Sequence, residues 1–247
     1  MLIAVAASVL TGAFAQRITG MGFALIASPI LVVLLGPFDG VIVVNLCAVL
    51  SSLLILPRVR RDVEWRRFVW LVVPALVGST AGVIVAARLP GPALQVGVGA
   101  LVLVALTVTL AISRTSTPAT GPAPAIVAGA ASGLMNATAG VGGPALSVYA
   151  VASRWWQTGF AATAQPYFVA IGTAALVGKF AATGWAPPAL DPGAWPWLLA
   201  ALVTGLLIGE LLAPRVPHRA ARVAVITIAY LGGAAALIDG AMELTAA

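Results

Sequence analysis

One arginine in this sequence stands where apolar residues belong. It lies in Gln16-Arg17-Ile18-Thr19-Gly20-Met21-Gly22, where an amide, a guanidinium, a hydroxyl and two glycines interrupt a run otherwise suited to lipid. A second interruption, Asn136-Ala137-Thr138-Ala139-Gly140-Val141-Gly142-Gly143-Pro144, follows about 120 residues later. Setting Gly20-Met21-Gly22-Phe23 on Gly140-Val141-Gly142-Gly143 puts Gln16 on Asn136 and Asn45 on Gln165. Paired breaks at corresponding places point to the binding site of a transporter.

The chemistry these residues suit is anion binding. A half-helix that starts inside the membrane turns unpaired N–H groups and a positive dipole end toward its neighbour. Glycines let a ligand approach that backbone closely. Gly20 and Gly22 precede one such half-helix; Gly140, Gly142, Gly143 and Pro144 introduce the other. Gln16, Thr19, Asn45, Asn136, Thr138 and Gln165 add hydrogen-bonding groups. Two readings stand for Arg17. A guanidinium pairs bidentately with oxyanions and needs a partner at membrane depth, and no carboxylate is near it in sequence. Alternatively it snorkels to an interface. The glycines could serve close helix packing, and Asn45 and Gln165 could be interhelical glue.

The whole chain must position these groups within lipid. Of 247 residues, 61% are hydrophobic and 8% charged, against about 25% charged in soluble domains. The long apolar runs predict helices, not a barrel. A net charge of +6 does not imply nucleic acid, because most basic residues fall in two loops and read as orientation signals. Cys47 has no second cysteine to pair with. The Ala-Phe-Ala before Gln16 resembles a signal-peptidase site. No basic region precedes it, and its counterpart in the second half is internal, so residues 2–15 are read as structure.

Five apolar segments are expected per half: 2–15, 23–36, 40–56, 68–87 and 93–113, then 124–136, 144–153, 158–178, 194–213 and 222–238. The first two of each half are too short to cross a core of about 30 Å and read as broken or re-entrant hairpins. The prediction is therefore an all-α polytopic membrane protein in one domain. Repeat one spans 1–113, a linker 114–123, and repeat two 124–247, each repeat a hairpin plus three transmembrane helices. The basic loops are 57–67, with five arginines, and 214–222, with Arg215, Arg219 and Arg222. They do not correspond between halves. If both are cytoplasmic, the repeats run in opposite directions and both termini lie outside. Lys179 is expected to snorkel outward, and Glu210 to pair with nearby Arg215. Tyr149 and Tyr167 read as packing or pore-lining, and His218 carries no catalytic role.

The spacing GxxxxxxxGxG followed by small apolar residues and Pro29, repeated as GLMNATAGVGGPAL, resembles the sulfite exporter TauE/SafE family. The layout agrees over nearly the whole chain. The second copy is the closer match, since Phe23 and Ala24 stand where it has Gly143 and Pro144. The resemblance implies transport of sulfite, sulfoacetate or other organosulfonates.

The expectation is thus a multi-pass inner-membrane transporter of a small sulfur-containing anion. It would work by alternating access, needing the lipid bilayer and no metal or other cofactor, with a homodimer left open. The alternative is an anion channel or facilitator for another small carboxylate or oxyanion. An intramembrane enzyme is disfavoured, as the apolar segments hold no histidine, no HExxH and no Ser–His pairing. Cation transport would call for carboxylates or unwound carbonyls near the midplane, and the Arg17 break has the wrong sign for it.

Overall fold

The computed structural model describes residues 1–19, 22–112, 121–213, 215–216 and 218–246. These form α1 (Leu2–Thr19), α2 (Gly22–Leu35), α3 (Pro37–Val59), α4 (Trp65–Arg88), α5 (Gly91–Ile112), α6 (Pro122–Ala139), α7 (Gly143–Ala152), α8 (Gln157–Ala182), α9 (Ala194–Leu212) and α10 (His218–Ala246). A short 3-10 turn at Arg60–Asp62 follows α3, and no strand occurs among the described residues. Most of the expected linker lies outside those residues.

Among the described residues, six helices are long and apolar enough to cross a membrane: α3, α4 and α5, then α8, α9 and α10. The 24 residues of α4 give about 36 Å, enough for a hydrocarbon core of about 30 Å. The hairpin helices are shorter. α2 has 14 residues and α7 has 10, about 21 and 15 Å. Glycine and proline punctuate the starts. Gly36, at φ 83°, turns the chain into α3, whose first residue is Pro37. Gly121, at φ 88°, does the same before Pro122 of α6.

The helices pack on small residues, as membrane helices do when no hydrophobic force separates lipid from protein. A Cβ on Gly133 would stand 1.9 Å from the Ala75 carbonyl oxygen, and one on Gly78 would stand 2.1 Å from that of Ala130. These contacts seat α6 on α4. At a second contact between the halves, a Cβ on Gly205 would meet the Leu10 oxygen at 2.3 Å, seating α1 on α9.

The two interfaces share a register. Gly78 meets Ala130 and Gly82 meets Ala137; Gly205 meets Leu10 and Gly209 meets Arg17. Gly205 and Gly209 follow Gly78 and Gly82 by one common interval, and Ala130 and Ala137 follow Leu10 and Arg17 by another. Each half thus presses its first helix against the fourth helix of the other. α3 packs on α8, and α5 on α10, helices that share a rank in their halves.

The bundle has a basic end. Arg17 and Glu210 pair there, with Arg58 close by. Glu64 joins α7 and α8 to the start of α4 at that end: its Oε1 accepts from the indoles of Trp155 at 2.5 Å and Trp156 at 2.7 Å. Both described termini lie at the opposite end. Val5 shares a core cluster with Leu190 and Ala194, and Gly240 meets Pro92 and Gln95 at the start of α5. Outward faces remain apolar, with Val73 and Val77 of α4 and Leu207 and Leu211 of α9 exposed.

Candidate functional site

The second break builds a buried polar cluster against α3. α6 ends at Gly140, whose φ of 70° is left-handed and whose N–H returns to the Asn136 carbonyl at 2.9 Å. The left-handed turn suits glycine alone without strain. α7 then starts at Gly143 with no side-chain cap. The N–H groups of Gly143 and Ala145 therefore have no intrahelical acceptor, and Pro144 has none to donate. Gly140, Gly142, Gly143 and Pro144 are all buried.

Asn136 crosses between the halves. Its Nδ2 donates to Asn45 Oδ1 at 2.8 Å and to the Ile171 carbonyl at 3.4 Å. Asn45 Nδ2 in turn donates to the Val41 carbonyl at 3.0 Å and the Asn136 carbonyl at 3.5 Å. Ser132 Oγ donates to the Gly142 carbonyl at 2.7 Å. Ser28 of α2 donates to the Ala139 carbonyl, so the first hairpin clasps the tip of the second. Thr138 is buried, but its hydroxyl bonds back to Leu134 at 2.9 Å within its own helix. It retains acceptor capacity only.

The first break meets α3 at another level. Gln16 Oε1 accepts from Ser51 Oγ at 2.7 Å, and its Nε2 donates to Ser52 Oγ at 3.4 Å. Ser51 and Ser52 lie about 10 Å along α3 from Asn45. The two amides of the breaks thus border one helix without touching each other. Gly20 lies outside the described residues; Thr19 closes α1 and Gly22 opens α2.

Arg17 has a carboxylate partner after all. Its Nε donates to Glu210 of α9, brought beside it by the α1–α9 packing. The expected pairing of Glu210 with Arg215 is replaced by this one, and Arg215 instead donates to the Leu211 carbonyl at 3.1 Å. The pair is partly exposed, 31% and 44% for the two side chains, so it sits at the mouth of the basic end and not in the buried cluster.

Gln165 of α8 is buried. Its Nε2 donates to the Ala161 carbonyl at 2.9 Å, and its Oε1 has no partner. The Tyr167 hydroxyl is also buried and unpartnered, beside Ser132 but outside hydrogen-bond geometry with it. Lys179 does not snorkel, contrary to its expected place at an interface. It is fully buried, its Nζ without a hydrogen-bond partner and 3.9 Å from the centre of the Phe38 ring. The helix register turns it inward toward α3. Ser28, Ser51, Ser52 and Ser132 were missed from sequence, where lone serines in apolar helices carry little signal.

Another cavity, of about 600 Å³, lies among α5, α6 and α7. Leu101, Val104, Val127, Met135 and Val148 help line it, and it offers no anion a cation or an array of donors. The polar cluster around Asn45 and Asn136 is the candidate site. It sets an uncapped helix start beside two buried amides, whose N–H groups are joined here to each other and to carbonyls, and in a buried region each such interaction counts for more than at a surface.

The family model described as Sulfite exporter TauE/SafE matches residues 4–236. No curated protein and no solved structure matches the chain.

Proposed function

This chain belongs to the sulfite exporter TauE/SafE family, and from that premise we propose that it exports a small sulfur-containing anion, such as sulfite, sulfoacetate or another organosulfonate, by alternating access. The observation that carries the reading is the Asn136–Asn45 contact beside the uncapped start of α7. Fixed N–H donors and a positive helix end suit the oxygens of a sulfonate. Asn45, Asn136, Gly140, Gly142, Gly143 and Pro144 form one wall. Gln16, Thr138 and Gln165 belong to the path along α3, and Arg17 stands at its basic mouth; Thr19, Gly20 and Gly22 remain proposed contacts from the sequence, Gly20 lying outside the described residues.

The common register of the α4–α6 and α9–α1 contacts supports two inverted repeats. With the basic loops 57–67 and 214–222 in the cytoplasm, both termini lie outside. The hairpins α1–α2 and α6–α7 then enter from opposite faces.

Inverted repeats exchange conformations when access alternates. Asn136 and Asn45 are joined here, whereas the corresponding pair, Gln16 and Gln165, is not; each bonds elsewhere. Access switches when the first pair parts and the second closes. Export needs no proton relay under this scheme. A negative interior drives an anion outward by about 2.3 kcal/mol per charge per 100 mV.

The test is flux of labelled sulfite and sulfoacetate from proteoliposomes holding the purified chain. Saturable efflux with counterflow is expected. Non-saturating flux without counterflow would make the protein a channel, and no flux of either anion would overturn the reading.

A further inference from the structure

α3 and α8 meet along a seam of regular spacing. On α8, Gln165, Gly172 and Lys179 recur every seven residues; on α3, Phe38, Asn45 and Ser52 do the same. Seven residues is close to two helical turns, so each set lines one face. The facing is direct at two levels. A Cβ on Gly172 would stand 2.6 Å from Val49 and 3.5 Å from Asn45 Oδ1, and Lys179 Nζ lies over the Phe38 ring. The seam therefore runs from Gln165, past the Asn45–Asn136 contact, to Lys179 about 10 Å beyond it.

Lys179 is the anomaly of this seam. An ammonium carries three donors and a full charge, and burying it unpaired is costly. Its side chain is fully buried and no acceptor reaches it. Asp39, in the first turn of α3, is the carboxylate whose charge it feels, yet no ion pair forms. One Asp39 oxygen is taken by the Ala189 N–H at 3.0 Å. The Phe38 ring face gives partial compensation through cation–π attraction. The Gln165 Oε1 at the other end of the seam is unpartnered too.

We propose that Lys179 is a second anion-binding station. It lies at the end of the seam opposite the basic loops, where it receives a small oxyanion leaving the Asn45–Asn136 level. Its ligand is a sulfonate, sulfite or small carboxylate, whose oxygens meet the ammonium as charge-assisted acceptors. Phe38 lies beneath the ammonium and lends it no acceptor oxygen. Asp39 discourages a long stay, which suits a station on an exit path. The inference rests on the anion-transport reading above.

The experiment uses the purified full chain, methanesulfonate and sulfite as probes, and the variants Lys179→Met, Lys179→Arg and Asn136→Asp. Lys179→Met keeps the length and removes the charge. Its thermal midpoint without anion should rise, since an uncompensated charge is gone, while its affinity for methanesulfonate falls about tenfold or more. Lys179→Arg should keep affinity within about threefold, as guanidinium also pairs with oxyanions. In oriented proteoliposomes the half-saturation concentration should rise for Lys179→Met only at the face opposite the basic loops. A Lys179→Met protein that binds methanesulfonate as wild type does, or whose midpoint falls without anion, overturns the proposal. If Asn136→Asp loses binding in that case, the transport reading survives it. If wild type binds neither probe, both fall.

Discussion

Arg17 and Glu210 form an ion pair at the positions that Ala137 and Val83 fill with an apolar contact in the equivalent interface. The two pairs occupy equivalent steps of the α1–α9 and α6–α4 interfaces, directly beside Gly209 and Gly82. One half thus carries charge at its hairpin tip where the other carries methyl groups. The pair is partly exposed, so its net worth is modest. A double-mutant cycle of Arg17→Ala and Glu210→Ala should give a coupling of about 0.2–1 kcal/mol by chemical denaturation. Strictly additive effects would show that the contact contributes nothing, and would return Arg17 to the ligand role alone.

Gly133 tests the α4–α6 packing. Gly133→Ala drives a methyl into the Ala75 carbonyl, 1.9 Å away, and should cost about 1–3 kcal/mol. Gly97 has nothing within 4 Å of its would-be Cβ. Gly97→Ala should leave stability unchanged or slightly raised, because alanine favours helix. The comparison is a pair of unfolding midpoints, and equal losses would contradict the packing.

Glu64 should hold the basic end together. Its carboxylate serves the indoles of Trp155 and Trp156 and, through Oε2, the Arg67 guanidinium at 3.1 Å. Arg67 also lies over the Trp155 ring, 4.7 Å from its centre. Glu64→Ala strips two indole donors and a guanidinium of their acceptor, and should cost about 1–3 kcal/mol. Tryptophan emission should shift as Trp155 loosens, and an unshifted spectrum with full stability would show that Glu64 is not a clasp.

Gln16 and Gln165 test the alternation. Gln16→Ala removes a group used here by Ser51 and Ser52, and Gln165→Ala a group with an idle oxygen. Both should slow exchange across the membrane by the same step, so the double variant is no slower than the worse single one. Multiplicative losses in counterflow rate would show that the two amides act independently.

The elements were legible where composition changes abruptly. The predicted breaks at 16–22 and 136–144 coincide with the ends of α1 and α6, because glycines and amides contrast sharply with the aliphatic runs around them. The six helices long and apolar enough to cross among the described residues follow from hydropathy, three in each half. What was hidden depends on rotation and partners across the chain. Lys179 reads as a residue near a helix end, and only the register of α8 against α3 turns it inward onto Phe38. Glu210 has Arg215 near in sequence, yet helix packing brings Arg17 closer. Asn45 and Gln165 were singled out by correspondence between halves. Correspondence could not tell that Asn45 bonds Asn136 whereas Gln165 bonds its own helix.

The most direct measurement is binding of sulfite, sulfoacetate, taurine and sulfate to the purified chain by thermal shift, for wild type and Asn136→Asp. The aspartate nearly preserves shape while setting a negative charge beside Asn45 and the start of α7. The account predicts that a sulfur anion stabilises wild type, by about 2.7 kcal/mol at one hundred times its dissociation constant, and that Asn136→Asp folds but gains at most a tenth of the affinity. An Asn136→Asp protein stabilised as wild type is would contradict a site built on the Asn45–Asn136 contact.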